Sequence, residues 1–347
     1  MPWTKLAVRS YMEDAKPAPK YKKKGGREIS YEEAIREALF QALKMDENVF
    51  LMGEGVDDAA GAFGSTLNLH KDFPGRVFDT PIAEGAVTGF AVGSALCGMR
   101  PILVHMRMDF MPLSFDQILN HAAKFCYMSG GKVSVPLVIR AIIGRGWGSA
   151  AQHSQGLQAL FMHIPGLKVV MPATPFDAKG LLLSSIADNN PVIFIEHRWL
   201  YDTKGGVPRN EYLIPIGKGI IRKKGRDVTV VATSLMVREA LMASERLSNE
   251  GVDIEVIDPR SLKPLDKDII IDSVKKTGRL IIADLSWRTG GASEMILAGI
   301  HSSIRAHLKA DVQIVALPDT PTPASHVLEE AFYAGSEDIV KAVKRIT

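Results

Sequence analysis

Cysteine is nearly absent: among 347 residues only Cys97 and Cys126 occur, each in an apolar, small-residue stretch. Two cysteines so placed suggest neither a disulfide framework nor a metal knuckle, and a reducing compartment fits best: the cytoplasm, or the mitochondrial matrix of a eukaryote. An excess of one charge is missing too. Lys and Arg number 42 against 39 Asp and Glu, a net +3 that is too small to argue for nucleic acid. No run approaches the roughly 20 apolar residues of a membrane span, and the N-terminus lacks a signal-peptide core. Four familiar signatures are absent: the phosphate-binding Gly-x-x-x-x-Gly-Lys-Ser/Thr, His-Glu-x-x-His, Cys-x-x-Cys and the hydrolase Gly-x-Ser-x-Gly. Gly93 and Gly98 lie in a small-residue helix rather than in a strand-to-helix turn, so there is no dinucleotide fingerprint.

What is present reads as a soluble α/β protein of two domains, 46% hydrophobic and 23% charged. Residues 1–27 form a polar arm with a basic run from Lys20 to Lys24. Ser30 and Glu33 make a capping box that opens a helix, on which Ile35, Ala38, Leu39 and Ala42 follow the helical period. Val49–Met52 reads as a buried strand, and residues 56–72 as a loop. Strands are expected at 102–105, 136–140, 167–171 and 192–196. Helices are expected at 86–96, 113–128, 156–163 and 175–188. Residues 28–198 make the first domain. The Gly- and Pro-bearing stretch 199–216 is the expected linker. The second domain, 217–347, repeats the alternation. Its strands are expected at 228–232, 254–257, 280–283 and 312–316, and its helices near 237–249, 266–275, 292–307 and 336–345. Such alternation implies mostly parallel sheets flanked by helices.

Three clusters of residues could carry chemistry. Glu84 stands where Asp79-Thr-Pro-Ile82 meets a Gly/Ala-rich helix. Helix starts at sheet edges face ligand crevices, although a glutamate there also simply suits the helix dipole. Phe110, in the break after strand 102–105, is either a core aromatic or a flat ring for a heterocyclic ligand. His153, in Gln152-His-Ser-Gln155, is either part of a helix cap or a proton-handling histidine.

These segments together resemble the β subunit of the thiamine-diphosphate-dependent 2-oxoacid dehydrogenase E1 component (pyruvate, branched-chain and acetoin types), a branch of the transketolase-like superfamily. The matching pieces are Gly53-Glu54 with Gly61-Ala-Phe63, Asp79-Thr-Pro-Ile-Ala-Glu84, Gly98-Met-Arg-Pro101, Phe115-Asp-Gln117 and Tyr127-Met-Ser-Gly-Gly131. Further on come Ala151-Gln-His-Ser154, Pro165–Val170, Asp188-Asn-Asn-Pro191 and Asp258–Asp266. The resemblance covers roughly residues 28–346.

It implies a pyrimidine-binding domain followed by a transketolase-type C-terminal domain. It further implies that Glu84 hydrogen-bonds N1′ of the cofactor's aminopyrimidine and shares a proton with it. Phe110 would stack on that ring, with the Ile82 main chain and Met106 lining its pocket. Glu54 would lie behind Glu84 in a proton path, and His153 would face the substrate. A potassium ion would sit at Leu137, Ser185, Asp188 and Asn190, a loop that Asp and Asn would also form as simple turn residues. Such enzymes grip the diphosphate through Mg²⁺ with a Gly-Asp-Gly motif, which this chain lacks. The Mg²⁺ site then belongs to an α subunit in an α2β2 heterotetramer, and a lipoyl acyltransferase core (E2) is the expected acceptor.

The sequence also departs from the pattern. Arg107 stands where relatives carry a small or polar residue, and either binds a substrate anion or pairs with Asp109 or with the α chain. Asp284–Gly291 replaces a more usual Glu-Gly pattern. Oxidative decarboxylation of a 2-oxoacid with acyl transfer to a lipoyl group is the leading expectation. Acyloin cleavage or transketolase-like carbon transfer by a two-subunit enzyme is an alternative. A non-catalytic assembly subunit is another.

Overall fold

A computed structural model describes residues 27–144 and 148–347. The arm's Lys20–Lys24 run, and Trp147 before the His153 loop, lie outside the described residues. The chain divides into two compact units. One runs to Ile143 and resumes over Phe161–Ile216; the other comprises Gly144–Leu160 and Gly217–Thr347.

In the first unit the strands are β1 (Glu28–Ser30), β2 (Val49–Gly53), β3 (Val77–Asp79), β4 (Arg100–His105), β5 (Val138–Ile143), β6 (Lys168–Val170), β7 (Val192–His197) and β8 (Lys204–Gly206). The last six before β8 form a parallel sheet in the order β6-β7-β5-β4-β2-β3. β2, β4, β5 and β7 are buried along their whole length, which is why the sequence shows continuous apolar runs there rather than alternation. The long helices are α1 (Tyr31–Met45), α2 (Glu84–Leu96) and α3 (Pro175–Ala187). Ser30 and Glu33 do form the expected capping box on α1. Pro175 sits in the first turn of α3, where its missing N–H costs nothing, and Thr174 caps that helix.

One expectation needs correction, and two stretches gain detail. The helix expected over 113–128 is broken: a 3-10 segment over Met108–Ser114 containing Pro112, a π-type turn over Gln117–Ala122, and a short helix over Phe125–Met128. Pro112 lacks the amide a regular helix needs. Ala123 N–H reaches back to the Ile118 carbonyl, and Lys124 turns aside to bond the Pro165 carbonyl at 2.7 Å.

The stretch 199–216, expected as the linker, is held by backbone contacts of its own. Its β8 pairs antiparallel with β1. The fully buried Lys179 of α3 donates to the carbonyls of Pro208 at 2.7 Å and Asn210 at 3.0 Å, and pairs with Glu37 at 2.7 Å. A buried ammonium needs its protons satisfied, and this backbone supplies the acceptors.

Gly144–Leu160 groups by its contacts with the second unit. A Cβ on Gly156 would come 2.6 Å from the Leu285 carbonyl oxygen, so only glycine permits that approach. Gln158 Nε2 donates to the buried Asp284 carboxylate at 2.8 Å.

The second unit holds β9 (Ile220–Lys223), β10 (Val228–Ala232), β11 (Ile254–Asp258), β12 (Ser261–Lys263), β13 (Leu280–Trp287) and β14 (Gln313–Leu317). β14-β13-β10-β11 run parallel, and β9 joins β11 antiparallel at the edge. Helices α4 (Leu235–Asn249), α5 (Lys267–Thr277), α6 (Ala292–Ile304), α7 (His326–Phe332) and α8 (Ser336–Ile346) accompany them. Two mostly parallel sheets flanked by helices match the α/β class expected from the sequence.

Candidate active site

The carboxyl edge of a parallel sheet is where α/β folds bind ligands, and the first unit gathers its unusual polar residues there. β2 ends at Gly53, whose φ is +140° and where a Cβ would strike the Val104 carbonyl oxygen of β4 at 2.3 Å. This close approach delivers Glu54 to the edge. β3 ends at Asp79, and five residues on Glu84 opens α2. β4 runs out into Met106, Arg107 and the Met108–Ser114 segment that carries Phe110.

Glu84 is buried, with 6% of its surface exposed, although it carries a carboxyl group. Ala83 before it offers no side-chain cap, so the carboxylate itself stands at the positive end of the helix. Ile82, by contrast, is 81% exposed, an apolar side chain left uncovered beside a covered acid. Glu54 is half-buried. Desolvation first, then the carboxylates of Glu84 and Asp79, hold its pKa above the usual range. Asp79 is fixed in turn: its Oδ1 accepts from Gly55 N–H at 2.7 Å, and its N–H donates to Asp57 at 3.2 Å.

The raised pKa has a testable sign. A folded-state value above the unfolded one means that the folded chain binds the proton more tightly. The Glu54 charge therefore opposes folding, increasingly as pH rises through the folded pKa. Glu54→Gln is expected to raise the melting temperature at pH 8 and to leave it unchanged at pH 4. Equal increments at both pH values would show that the charge is not responsible.

The Phe110 segment is locked to the Glu84 helix. Thr88, one turn beyond Glu84, donates to Ser114 Oγ at 2.9 Å and lies 3.2 Å from His105 Nε2. Burial pushes the His105 pKa down to about 4, so this imidazole stays neutral. Sequence patterning did not flag Thr88, His105 or Ser114; a histidine ending an apolar strand run is the signal that could have found them. Met106 lies against the exit of β2, its Cε 3.0 Å from where a Gly55 Cβ would stand. Arg107, 8% exposed, places its guanidinium 5.7 Å from the Phe63 ring centroid.

His153 is exposed and belongs to the second unit. Its N–H reaches the Ala150 carbonyl, and Tyr333 donates to the neighbouring Ser154 carbonyl at 3.5 Å. The first unit thus unites Glu54, Ile82, Glu84, Met106, Arg107 and Phe110 at one sheet edge, while His153 is carried separately.

The four residues expected around potassium meet at the end of α3. Asp188 Oδ1 accepts from Asn190 N–H at 2.9 Å, and its Oδ2 pairs with Lys168. The Leu137 carbonyl accepts from Val192 N–H, and that of Ser185 from Asp188 N–H. Arg100 donates to the carbonyls of Ile186 at 2.8 Å and Asp188 at 3.2 Å. Two protein cations, Lys168 and Arg100, already engage the oxygens of Asp188. Among the described residues no group of three or more His, Cys, Asp or Glu side chains converges as a metal site would require.

The residues at the sheet edge bring two carboxyl groups, a guanidinium, an aromatic ring, a thioether and the exposed Ile82. This is the set of groups a flat nitrogen heterocycle calls for: a carboxyl for a ring nitrogen, and an aromatic ring and a thioether for its faces.

Comparison with known proteins agrees in kind. Residues 27–204 match the transketolase pyrimidine-binding domain, and residues 217–339 the transketolase C-terminal domain. The β subunit of an acetoin:2,6-dichlorophenolindophenol oxidoreductase from Cupriavidus necator is 44% identical over 92% of this chain and 97% of its own. The pyruvate dehydrogenase E1 β subunit of Rickettsia felis is 42% identical, over 92% and 98% respectively. The 2-oxoisovalerate dehydrogenase β subunit of Bacillus subtilis is 38% identical, over 92% and 98%. A solved split-gene transketolase, an inactive β4 tetramer, superposes with a TM-score of 0.74 at 25% identity, covering 92% of this chain and 98% of that one. Matched along nearly its whole length and in both domains, the chain belongs to the transketolase-like family of 2-oxoacid dehydrogenase E1 β subunits.

Proposed function

We propose that this chain is the β half of a heterotetrameric 2-oxoacid dehydrogenase, binding the aminopyrimidine end of thiamine diphosphate and completing its active site only with an α partner. The observation that supports this best is Glu84, a buried carboxyl at a helix start, held beside the Phe110 segment on the carboxyl edge of the sheet. When bound, thiamine diphosphate supplies the carbon nucleophile and the electron sink for decarboxylation.

The chain's own residues do the rest. Glu84 holds the proton at N1′ of the pyrimidine, and Phe110 stacks on the ring while Met106 and the Ile82 main chain close the pocket. Glu54, whose raised pKa lets it hold a proton more readily than an ordinary glutamate, stands next in line to exchange protons with Glu84. His153 faces the 2-oxoacid. Arg107 forms the pocket wall, its guanidinium already engaged with Phe63.

The diphosphate and its Mg²⁺ lie on the α subunit, because no Gly-Asp-Gly occurs here to hold them. Potassium, where bound, would be held by Asp188 and the carbonyls of Leu137, Ser185 and Asn190, in the loop that also engages Lys168 and Arg100. A lipoyl acyltransferase accepts the acyl group, in a reducing compartment where Cys97 and Cys126 stay free, as they are in the structure. No helix among the described residues is long and apolar enough to cross a membrane.

The test is turnover by the chain alone and by the chain co-expressed with an α subunit. Each sample receives thiamine diphosphate, Mg²⁺, an artificial electron acceptor and a panel of 2-oxoacids and acetoin. A parallel set has potassium replaced by tetramethylammonium. Activity is expected in the pair only, and lower without potassium. Activity in the isolated chain would overturn the divided site. Equal activity in both salts would mean that Lys168 and Arg100 suffice at the Asp188 loop.

A further inference from the structure

Phe63 belongs to a motif that the proposed chemistry leaves unused. It lies in a turn whose four residues, Gly61 to Gly64, all have positive φ: 51°, 38°, 57° and 91°. Two of them, Ala62 and Phe63, are not glycine. Left-handed backbone is avoided by bulky side chains, and persists only where the surroundings over-determine it. Here they do. Ala62 N–H donates to the Gly55 carbonyl at 2.9 Å, and Thr66 Oγ1 donates to the Val56 carbonyl at 2.8 Å, folding the turn back on the exit of β2.

The Phe63 ring faces a fixed structure on one side. The Arg198 guanidinium lies 4.9 Å from its centroid, and the Tyr201 ring meets it edge-on at 6.3 Å. Tyr201 is immobilised in turn. Its hydroxyl donates to Glu196 at 2.6 Å, its ring stacks on Tyr31 at 5.9 Å, and Arg140 grips Glu196 through two hydrogen bonds of 2.6 and 2.9 Å. Arg140 also donates to Ser65 in the turn itself at 2.8 Å. Also on this ring, with its centroid 5.7 Å away, lies the Arg107 guanidinium, and the Arg107 carbonyl accepts the Phe110 N–H at 3.3 Å. A guanidinium over an aromatic face is attracted by the ring quadrupole and keeps its planar stacking geometry.

From this continuous line of contacts we infer that Phe63 is a positioning residue for the cofactor: through Arg107 it fixes the segment that presents Phe110 to the pyrimidine. This deepens the proposed function and rests on its assignment of Phe110. The left-handed turn aims the Phe63 ring at Arg107. The buried Arg140–Glu196–Tyr201 set anchors the ring through Tyr201 and the turn through Ser65. Arg107 then belongs to the wall of the pocket.

The test uses the assembled α–β protein with Phe63→Leu, Phe63→Gly, Phe63→Tyr and, as a control, Phe110→Ala. Thiamine diphosphate affinity is measured by titration calorimetry with Mg²⁺ present, alongside kcat, KM for the cofactor and the melting temperature. Leu keeps most of the apolar volume but removes the π face. Gly relieves the backbone while removing the ring, and Tyr keeps both ring and face. Leu and Gly are expected to weaken cofactor binding about tenfold, through KM for the cofactor more than through kcat and without a matching loss of melting temperature. Tyr is expected to bind within about twofold of the parent.

Three results would overturn the inference. One is parent-like affinity in Leu and Gly while Phe110→Ala binds weakly. Another is a loss in Leu and Gly that only follows unfolding. The third is failure of Tyr to rescue. Parent-like affinity in Phe110→Ala would instead overturn the assignment of Phe110, and with it the cofactor reading of this edge.

Discussion

Glu84→Gln is expected to lower kcat of the assembled enzyme by about 10²–10⁴-fold, the range that a well-placed proton-transfer group contributes. The substitution keeps size, shape and one hydrogen-bonding oxygen, but a carboxamide cannot pass a proton to a ring nitrogen and take it back. Glu84→Asp should fall between, because the carboxyl chemistry remains while its reach shortens. Stability separates this from a trivial defect. Glu84 is the first residue of α2, and its charge at the positive helix end is worth about 0.3–1 kcal/mol. Gln loses only that increment, which corresponds to a melting shift of about 1–4 °C in a unit of this size. Assembly with the α subunit, followed by size-exclusion chromatography, should be unchanged. Turnover within a few-fold of the parent would remove Glu84 from the proton path. A lost tetramer would make it an interface residue.

Much of this site was legible because its physics is local. Continuous apolar runs marked β2, β4, β5 and β7 as strands buried on both faces, and Ser30 with Glu33 fixed where α1 begins. Glu84 stood out because an acid opening an apolar, small-residue helix is incongruous. What stayed hidden depends on contacts far apart in the chain. β3 is a three-residue strand, too short for any period to register. The break between Ser114 and Phe125 was overridden by packing: the apolar spacing is helical, but Pro112 and the Lys124–Pro165 bond impose another path. Residues 199–216 looked like a linker from their glycines and prolines, while the acceptor carbonyls that hold Lys179 have no sequence signature. The grouping of Gly144–Leu160 with the second unit follows from Gly156 against Leu285 and Gln158 on Asp284, pairings over 120 residues apart. The left-handed Phe63 was invisible for the same reason, since nothing in Gly-Ala-Phe-Gly announces positive φ at its two middle residues.

Glu196→Ala is expected to be the most destabilising single change in the first unit. Arg140 and Glu196 are both fully buried, on adjacent strands β5 and β7, and their bidentate pair is joined by the Tyr201 hydroxyl. Burial and the neighbouring carboxylate raise the Tyr201 pKa well above its ordinary value, so the phenol remains a donor. Removing the carboxylate leaves a guanidinium with no counter-charge inside a packed sheet and a phenol with no acceptor. One Arg140 nitrogen, Nη1, already lacks a partner. Breaking such a pair costs about 3–5 kcal/mol, or on the order of 10 °C in melting temperature. The pair itself need not be net stabilising, because bringing both charges out of water consumes most of their attraction. The double variant Arg140→Met, Glu196→Leu should therefore recover much of the loss, even though it restores no polar contact. Its cofactor affinity should not recover with its melting temperature, because Ser65 and Tyr201 lose the groups that hold the Phe63 turn. Recovery of both would show that packing alone positions that turn. Recovery of neither would mean that the ion pair, rather than the volume it fills, holds β5 to β7.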